Sequence, residues 1–563
     1  MFNSKQTKLF EASESKGNSS TAVATRKALK AKTTTALGNG ALKIVSSGND
    51  FVDQFGKVTN YKKPRSYQEV AEDCRTLHSQ NPLYAICFIV YIRLITRVVQ
   101  FFDGSKTSST QRGQGLKHEG ILRLIWLQVN HPESFWKNLP IFISVGSWKD
   151  IIQMLSYDLQ FHTWKGRVLD WDKLGQVILA GLENPNTVNL VKKYLPQIKS
   201  NSACKTFEAQ ADNVIAKWIC SLITGAKESS ANYRQYRKLK SSGTAHQWQQ
   251  VISRKKLKDL NFDTIHGRAL AQLVSGKFLK NNGLEAAYSK WIESKPVAKY
   301  TGYIYELLAP VKDGYKNATL TTYQKATINK QFNGVIEIAK KGLNDLSAFL
   351  VVVDSSSSMT SAVPGTKVSS YSVAKSMALY FSYLLKGPFE GHFMEFADKA
   401  GLIAWKGNTP VDRLQNDRCE AYGSTNFLGV AKVFCDLKAK GVPESDFPTG
   451  ILCLSDGCFN DTGKNRTNTR DFKVTLARAG FSNEFVNNFK IVLWDIPNGY
   501  YGGKSQTAFE ALSDTPNLYH ISGLDPAAVA FLMGTDYNKA VPKNGEELFL
   551  ASINQEVMEL IRV

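Results

Sequence analysis

The sequence predicts an α-helical solenoid followed by a doubly wound α/β domain. Three observations predict it. From about 65 to 340, apolar residues recur at three- and four-residue spacing, with no strand-rich stretch. After 343, short β-branched runs alternate with helix-like runs, the pattern of a mostly parallel sheet. The first of these runs, Leu350-Val351-Val352-Val353, ends abruptly in Asp354-Ser355-Ser356-Ser357-Ser358. A buried strand thus delivers one carboxylate and a row of hydroxyls to a single loop. At 563 residues the chain exceeds a single core, which fits two or three domains.

In chain order, residues 1–50 are rich in Lys, Ser, Thr, Ala and Gly, with Phe2 and Phe10 as their aromatics, and read as a mobile basic arm. Residues 65–340 form the helical domain. Leu122, Leu124, Ile125, Leu127 and Val129 share one helix; Val214, Ile215, Trp218, Ile219, Leu222 and Ile223 share another; Ile265, Ala269, Leu270 and Leu273 continue the theme. No fixed repeat period is visible. Residues 343–535 form the α/β domain. Val373, Ala374, Met377, Ala378, Phe381, Leu384 and Leu385 line one helix face. Phe427, Val430, Ala431, Phe434 and Leu437 line a second. His392 to Ala397, Ile451 to Leu454, Lys490 to Ile496 and Leu518 to Ser522 read as strands. Over 544–563, Leu548, Leu550, Ile553, Val557, Leu560 and Ile561 predict an amphipathic C-terminal helix that docks on the body. The short connection after Lys341 predicts direct docking of the two domains in a compact monomer.

Composition narrows the classes. The formal net charge is +21, and it is unevenly spread. Residues 1–50 carry net +5, residues 343–563 net −4, and residues 51–342 net +20. The basic excess lies in the helical domain and points to an anionic partner, nucleic acid before acidic membrane. The alternative is solvated helix faces. The eight cysteines show no zinc spacing, and Cys87, Cys220, Cys435 and Cys453 fall in apolar runs, as small buried thiols do. This fits a reducing, intracellular and cytoplasmic setting. The N-terminus has no apolar signal core, and the run from Leu83 to Ile92 is too short for a bilayer, so a soluble protein without a membrane partner is expected. No phosphate-binding Gly-x-x-x-x-Gly-Lys loop, His-Glu-x-x-His or Gly-x-Ser-x-Gly elbow occurs, and a non-catalytic protein is expected.

Asp354, Ser356 and Ser358 suit a hard divalent cation, Mg²⁺ or Mn²⁺. Two later segments join them: Gly423-Ser424-Thr425-Asn426 before a helix, and Ser455-Asp456-Gly457 at a strand end. Together the three motifs resemble the metal-ion-dependent adhesion site of a von Willebrand factor A (vWA) domain. The resemblance implies that Asp354, Ser356, Ser358, Thr425 and Asp456 bind the cation, and that a partner's carboxylate completes the shell. Ser357 stands where relatives often carry Gly or Ala, which implies a stiffer loop.

A helical domain before a vWA domain resembles the Ro autoantigen (TROVE) family, whose HEAT-like helices form a ring closed by the vWA domain. It also resembles a group of plant and microbial proteins of the same layout. Pro140-Ile141-Phe142-Ile143-Ser144-Val145-Gly146-Ser147-Trp148-Lys149-Asp150 and Gly113-Gln114-Gly115-Leu116-Lys117-His118-Glu119 carry this resemblance, as does Tyr236-Arg237-Lys238-Leu239 followed by Trp248. It implies RNA binding, with misfolded small RNAs in the central hole and Y-type RNAs on the outer basic surface. Two basic clusters fit: Arg234, Arg237, Lys238 and Lys240 with Tyr233 and Tyr236, then Arg254, Lys255, Lys256 and Lys258 after Trp248. These aromatics serve equally well as helix-packing residues. Two other classes remain beside a ribonucleoprotein: a metal-dependent protein-interaction module, and an assembly or virion-associated protein.

Overall fold

A computed structural model describes residues 34–36, 42–44, 50–51, 54, 66–95, 99–101, 109–111, 117–161, 168–225, 229–242, 247–265, 267–300, 302–313, 316–342, 349–363, 368–417, 422–457, 459–460, 468–496, 517–522, 549–550, 553 and 556–563. Most of the expected basic arm, and the Gly113 to Leu116 turn, lie outside these. The chain divides into a helical unit (Pro64–Gly302, Leu320–Val335 and Ile553–Val563) and an α/β unit that takes Tyr303–Thr319 and Ile336–Ser552.

The helical unit opens with α1 (Tyr67–Gln80), α2 (Pro82–Ile95), α3 (Lys117–Asn130), α4 (Pro132–Val145) and α5 (Trp148–Phe161). It continues with α6 (Trp171–Glu183), α7 (Val188–Tyr194), α8 (Phe207–Thr224), α9 (Ser230–Ser242), α10 (Gln247–Ser253), α11 (Gly267–Ser275) and α12 (Glu285–Glu293). Neighbours in sequence are neighbours in space: α1 packs on α2 and α3, α3 on α4 and α5, α8 on α5 and α9. The apolar run expected to be too short for a bilayer is the buried helix α2. Among the described residues, no helix is long and apolar enough to cross a membrane.

The Pro140 to Asp150 stretch is a structural joint. Asp150 opens α5 by accepting from the Ser147 amide (3.0 Å) and hydroxyl (3.1 Å), and it pairs with the buried Arg93 of α2. The Trp148 ring of this joint lies over Gly181 of α6, where an added Cβ would come within 2.4 Å of it. Gly181→Ala is therefore expected to cost about 1–3 kcal/mol, the usual penalty of overpacking. In a unit of this size that is roughly 2–4 °C per kcal/mol in a melting curve. An unchanged melting temperature would refute the close approach.

The C-terminus differs from the expected helix. Residues 549–550 and 553 are helical, but Glu556–Leu560 is a 3₁₀ turn. Its three-residue period aligns Met558 with Ile561, both buried, and turns Leu560 outward at 57% exposure. The last residues do pack on the helices: Arg562 N–H donates to Asn138 Oδ1 (2.8 Å) and its carbonyl accepts from Asn138 Nδ2.

The α/β unit is built on β1 (Phe349–Asp354), β2 (His392–Phe396), β3 (Ala400–Ala404), β4 (Gly450–Ser455), β5 (Lys490–Asp495) and β6 (Leu518–Ser522). Their order is β6-β5-β4-β1-β2-β3, parallel except for the antiparallel edge pair β2–β3. Each predicted strand is present; β3, short and half-exposed, is an addition. One face carries Leu350, Val352, Met394, Phe396, Ile451, Cys453, Ile491 and Leu493. It packs on α15 (Leu428–Ala439), α16 (Asn468–Arg478) and α17 (Asn483–Asn488), which follow α13 (Ser370–Ser382) and α14 (Pro410–Asn416) in the chain.

The opposite face receives α13, every residue of which except Ser372 is buried. The reason is a second cover: the helix Ile304–Leu308 packs on α13, with Ile304, Leu307 and Leu308 buried, as is Val311 in the 3₁₀ turn that follows. Asn317 Nδ2 donates to Gln415 O (2.8 Å), and Gln415 Nε2 donates to Ala318 O (3.1 Å). Against the expected domain limit near 340, residues 303–319 group with the α/β unit, and its main stretch begins at Ile336. The first part of 303–319, Ile304–Leu308, is helical and so continues the helical run in the sequence, while Lys312–Asp313 and Lys316–Asn317 pair as a short antiparallel hairpin; only tertiary packing reassigns them.

Candidate functional site

The strand order reverses at β1, which lies between β2 and β4. In open α/β sheets the crevice beyond the strand ends at that reversal is where ligands bind. Asp354 ends β1 and Ser455 ends β4, so the register brings Asp354, Ser455 and Asp456 together. Ser455 Oγ donates to Asp354 Oδ2 (2.6 Å), and the Ser356 amide donates to Asp354 Oδ1 (2.8 Å). Ser356 Oγ and Ser358 Oγ are 3.2 Å apart across the turn Ser357–Thr360. Asp354, Ser356, Thr425 and Asp456 are buried, and Ser358 is half-buried.

The Gly423–Thr425 loop is stitched to this centre. The Ser357 amide (3.3 Å) and hydroxyl (3.2 Å) both donate to Gly423 O, and the Tyr422 amide donates to Ser355 O (2.8 Å). The Ser357 hydroxyl therefore adds a bond between two of the loops. Gly423 has φ +86° and no room for a Cβ, which would meet Asp398 Oδ2 at 2.5 Å. Asp398, in the β2–β3 turn, accepts from the Ser424 amide (2.9 Å) and hydroxyl (2.5 Å). These hydrogen bonds hold the Asp398 carboxyl below its ordinary value.

Electrostatics distinguish the centre from an ordinary strand-end turn. Burial, and then the neighbouring Asp456 charge, push the Asp354 carboxyl up to about 7, against the pull of the Ser455 and Ser356 hydrogen bonds. Two carboxylates in a desolvated crevice are unfavourable unless a cation joins them. The donors fit one. Ligands at right angles around Mg²⁺ lie about 3 Å apart at its preferred bond length, close to the Ser356–Ser358 spacing. All are hard oxygens. Among the described residues no group of three or more His, Cys, Asp or Glu is placed to hold a metal. The candidate set relies on hydroxyls beside its two carboxylates.

The basic clusters are less uniform. Arg234, Arg237 and Lys238 are exposed on α9. Lys240 is part-buried and donates to Leu195 O, and burial lowers its pKa. Tyr236 is fully buried, its hydroxyl donating to Pro196 O (2.9 Å). Tyr233 is half-buried, with Lys217 Nζ 5.8 Å from its ring centre. Arg254, Lys255, Lys256 and Lys258 are exposed after α10, and Trp248 packs against the cluster of Phe262, Leu270 and Ile292. Lys240, Tyr236 and Trp248 are therefore structural. Lys193, exposed on α7 beside α9, adds a basic group that sequence spacing does not reveal. The bond of Ser455 to Asp354, and the roles of Asp398 and Asn460, are likewise unmarked in the sequence, because their partners are distant in it.

No family model matches the chain, and no curated protein matches it. Among solved structures, the chain is similar to the Ro (RSR) protein of Deinococcus radiodurans, at 14% identity and a TM-score of 0.39, over 74% of this chain and 86% of that one.

Proposed function

We propose that the α/β unit is a vWA-type domain that binds Mg²⁺ or Mn²⁺ through Asp354, Ser356, Ser358, Thr425 and Asp456, and that the helical unit binds RNA. The observation that carries the first half is the pair of buried carboxylates at the strand reversal, with three hydroxyl-bearing side chains on the loops around it. The reading is of a binding protein: the serines beside Asp354 are used as ligands. Calorimetric titration of the chelated protein with Mn²⁺ tests it, and no heat of binding at millimolar metal would refute it.

The second half rests on the +20 excess in 51–342 and on the exposed Arg234, Arg237 and Lys238. With Tyr236 buried and Trp248 half-buried against the helical core, this surface has little aromatic area for base stacking. It neutralises phosphates, and binding should be weakly sequence-dependent and steeply salt-dependent. Reversing Arg234, Arg237 and Lys238 to Glu is expected to lower the log affinity–log salt slope by about 2–3, one unit or slightly less for each lost phosphate contact. Fluorescence anisotropy with a labelled RNA at several salt concentrations measures it. An unchanged slope would remove α9 from the interface.

A further inference from the structure

We infer that Asn460 is the residue that positions Thr425 for the cation; this rests on the cation-binding reading above. Thr425 comes from a loop, so its hydroxyl is useful as a ligand only if the loop is held. Asn460 holds it by both backbone groups. Asn460 Oδ1 accepts from the Thr425 amide (3.1 Å), and the Asn460 amide donates to Thr425 O (2.9 Å). The remaining donor, Nδ2, reaches Ser424 Oγ (3.0 Å). A side-chain amide supplies an acceptor and a donor from two separate atoms of one terminus, which an ionised carboxylate does not.

Asn460 is itself anchored. Its carbonyl accepts from Nδ2 of the buried Asn468 (3.0 Å). The preceding Phe459 is buried and stacks on Phe427 with ring centres 4.8 Å apart, and Phe427 lies two residues beyond Thr425. Asn460 also follows Asp456 by four residues. The loop that presents Asp456 and the loop that presents Thr425 are therefore one piece, with Asn460 as the pin. Asp398 grips Ser424 from the opposite side. A cation entering this crevice meets a hydroxyl already in place.

The test uses the full chain with Asn460→Ala, Thr425→Ala, the double variant and Asp354→Ala. Hydrogen exchange at the Thr425 amide is followed in chelator, and Mn²⁺ affinity by calorimetry. Asn460→Ala is expected to speed Thr425 exchange and to weaken Mn²⁺ about 10–100-fold, as loss of an outer support does. In the Thr425→Ala background it should cost nothing further. Asn460→Asp keeps the acceptor for the Thr425 amide and serves if the alanine variant fails to fold. It should leave Thr425 protected and affinity within about tenfold of wild type. Wild-type affinity in Asn460→Ala, with binding lost in Asp354→Ala, overturns the positioning role and leaves the cation site standing. Equal losses from Asn460→Ala with and without Thr425 overturn it as well. Failure of the wild type to bind Mn²⁺, with Thr425 exchange still governed by Asn460, overturns the cation reading and the role together.

Discussion

Replacing Asp354 by alanine is expected to abolish Mn²⁺ binding, and replacing it by asparagine to stabilise the chelated protein. The two variants separate the roles of one carboxylate. In the proposed cation site, Asp354 is the group to which Ser356 and Ser455 are tied, so its loss removes the centre of that site. As a buried charge beside Asp456, it is a liability without metal. Its folded pKa is raised from 3.8 to about 7. For an acid shifted upward, the contribution to stability is intact below the unfolded value and is lost as pH rises through the folded one. The chelated wild type should therefore lose stability between about pH 4 and 7 and stay low above that. The loss is of order up to 4 kcal/mol. Asparagine keeps the shape, removes the charge and should flatten this part of the profile. Melting curves from pH 4 to 8 in chelator read it. A profile identical to wild type would sink the electrostatic account, and an unchanged Mn²⁺ affinity in Asp354→Ala would rule out the assigned site.

Arg93→Ala should be among the most destabilising substitutions in the helical unit, at about 3–5 kcal/mol. Arg93 and Asp150 are both almost wholly buried, at 3% and 5% side-chain exposure. Arg93 Nε donates to Asp150 Oδ2 at 3.0 Å, and a second guanidinium nitrogen reaches the same oxygen. Removing the arginine strands a carboxylate that also organises the start of α5. Removing both partners is less harmful than the sum of the parts, because no lone charge is left. Urea denaturation of Arg93→Ala, Asp150→Ala and the double variant should show a coupling above about 1 kcal/mol. Strict additivity would mean that the pair does not act as a unit.

What the sequence made legible follows from burial. β1, β4 and β5 are covered on both faces, so they appear as unbroken apolar runs, and their ends locate Asp354 and Asp456 to the residue. β3 is half-exposed and reads Ala-Gly-Leu-Ile-Ala, with no strand signature to find. On α9 the basic residues divide by helical geometry. Arg234 and Lys238, four apart, share the solvent face, whereas Tyr236 and Lys240, also four apart, share the face that meets Leu195 and Pro196. The spacing was visible, but which face is buried depends on α7. The supports of Thr425 were illegible for a stronger reason. Asp398 lies 27 residues before Thr425 and Asn460 lies 35 after it, and nothing local in an isolated Asp or Asn marks a clamp.

The second cover over α13 has a consequence for the order in which the protein is made. The segment 303–319 leaves the ribosome well before the strands and helix it belongs with, and the last sheet strand ends at Ser522. At typical synthesis rates of 5–20 residues per second, that interval is roughly 10–40 s. Until α13 has been made Ile304, Leu307, Leu308 and Val311 lack the helix that covers them, and until the strands follow, α13 lacks the sheet on which it packs. The nascent chain carries this unpaired apolar segment between pieces of a helical unit that is itself completed only by Ile553–Val563. Neither unit has all of its residues until Ser552 and the segment Ile553–Val563 have been made, so both wait on the same late stretch of chain.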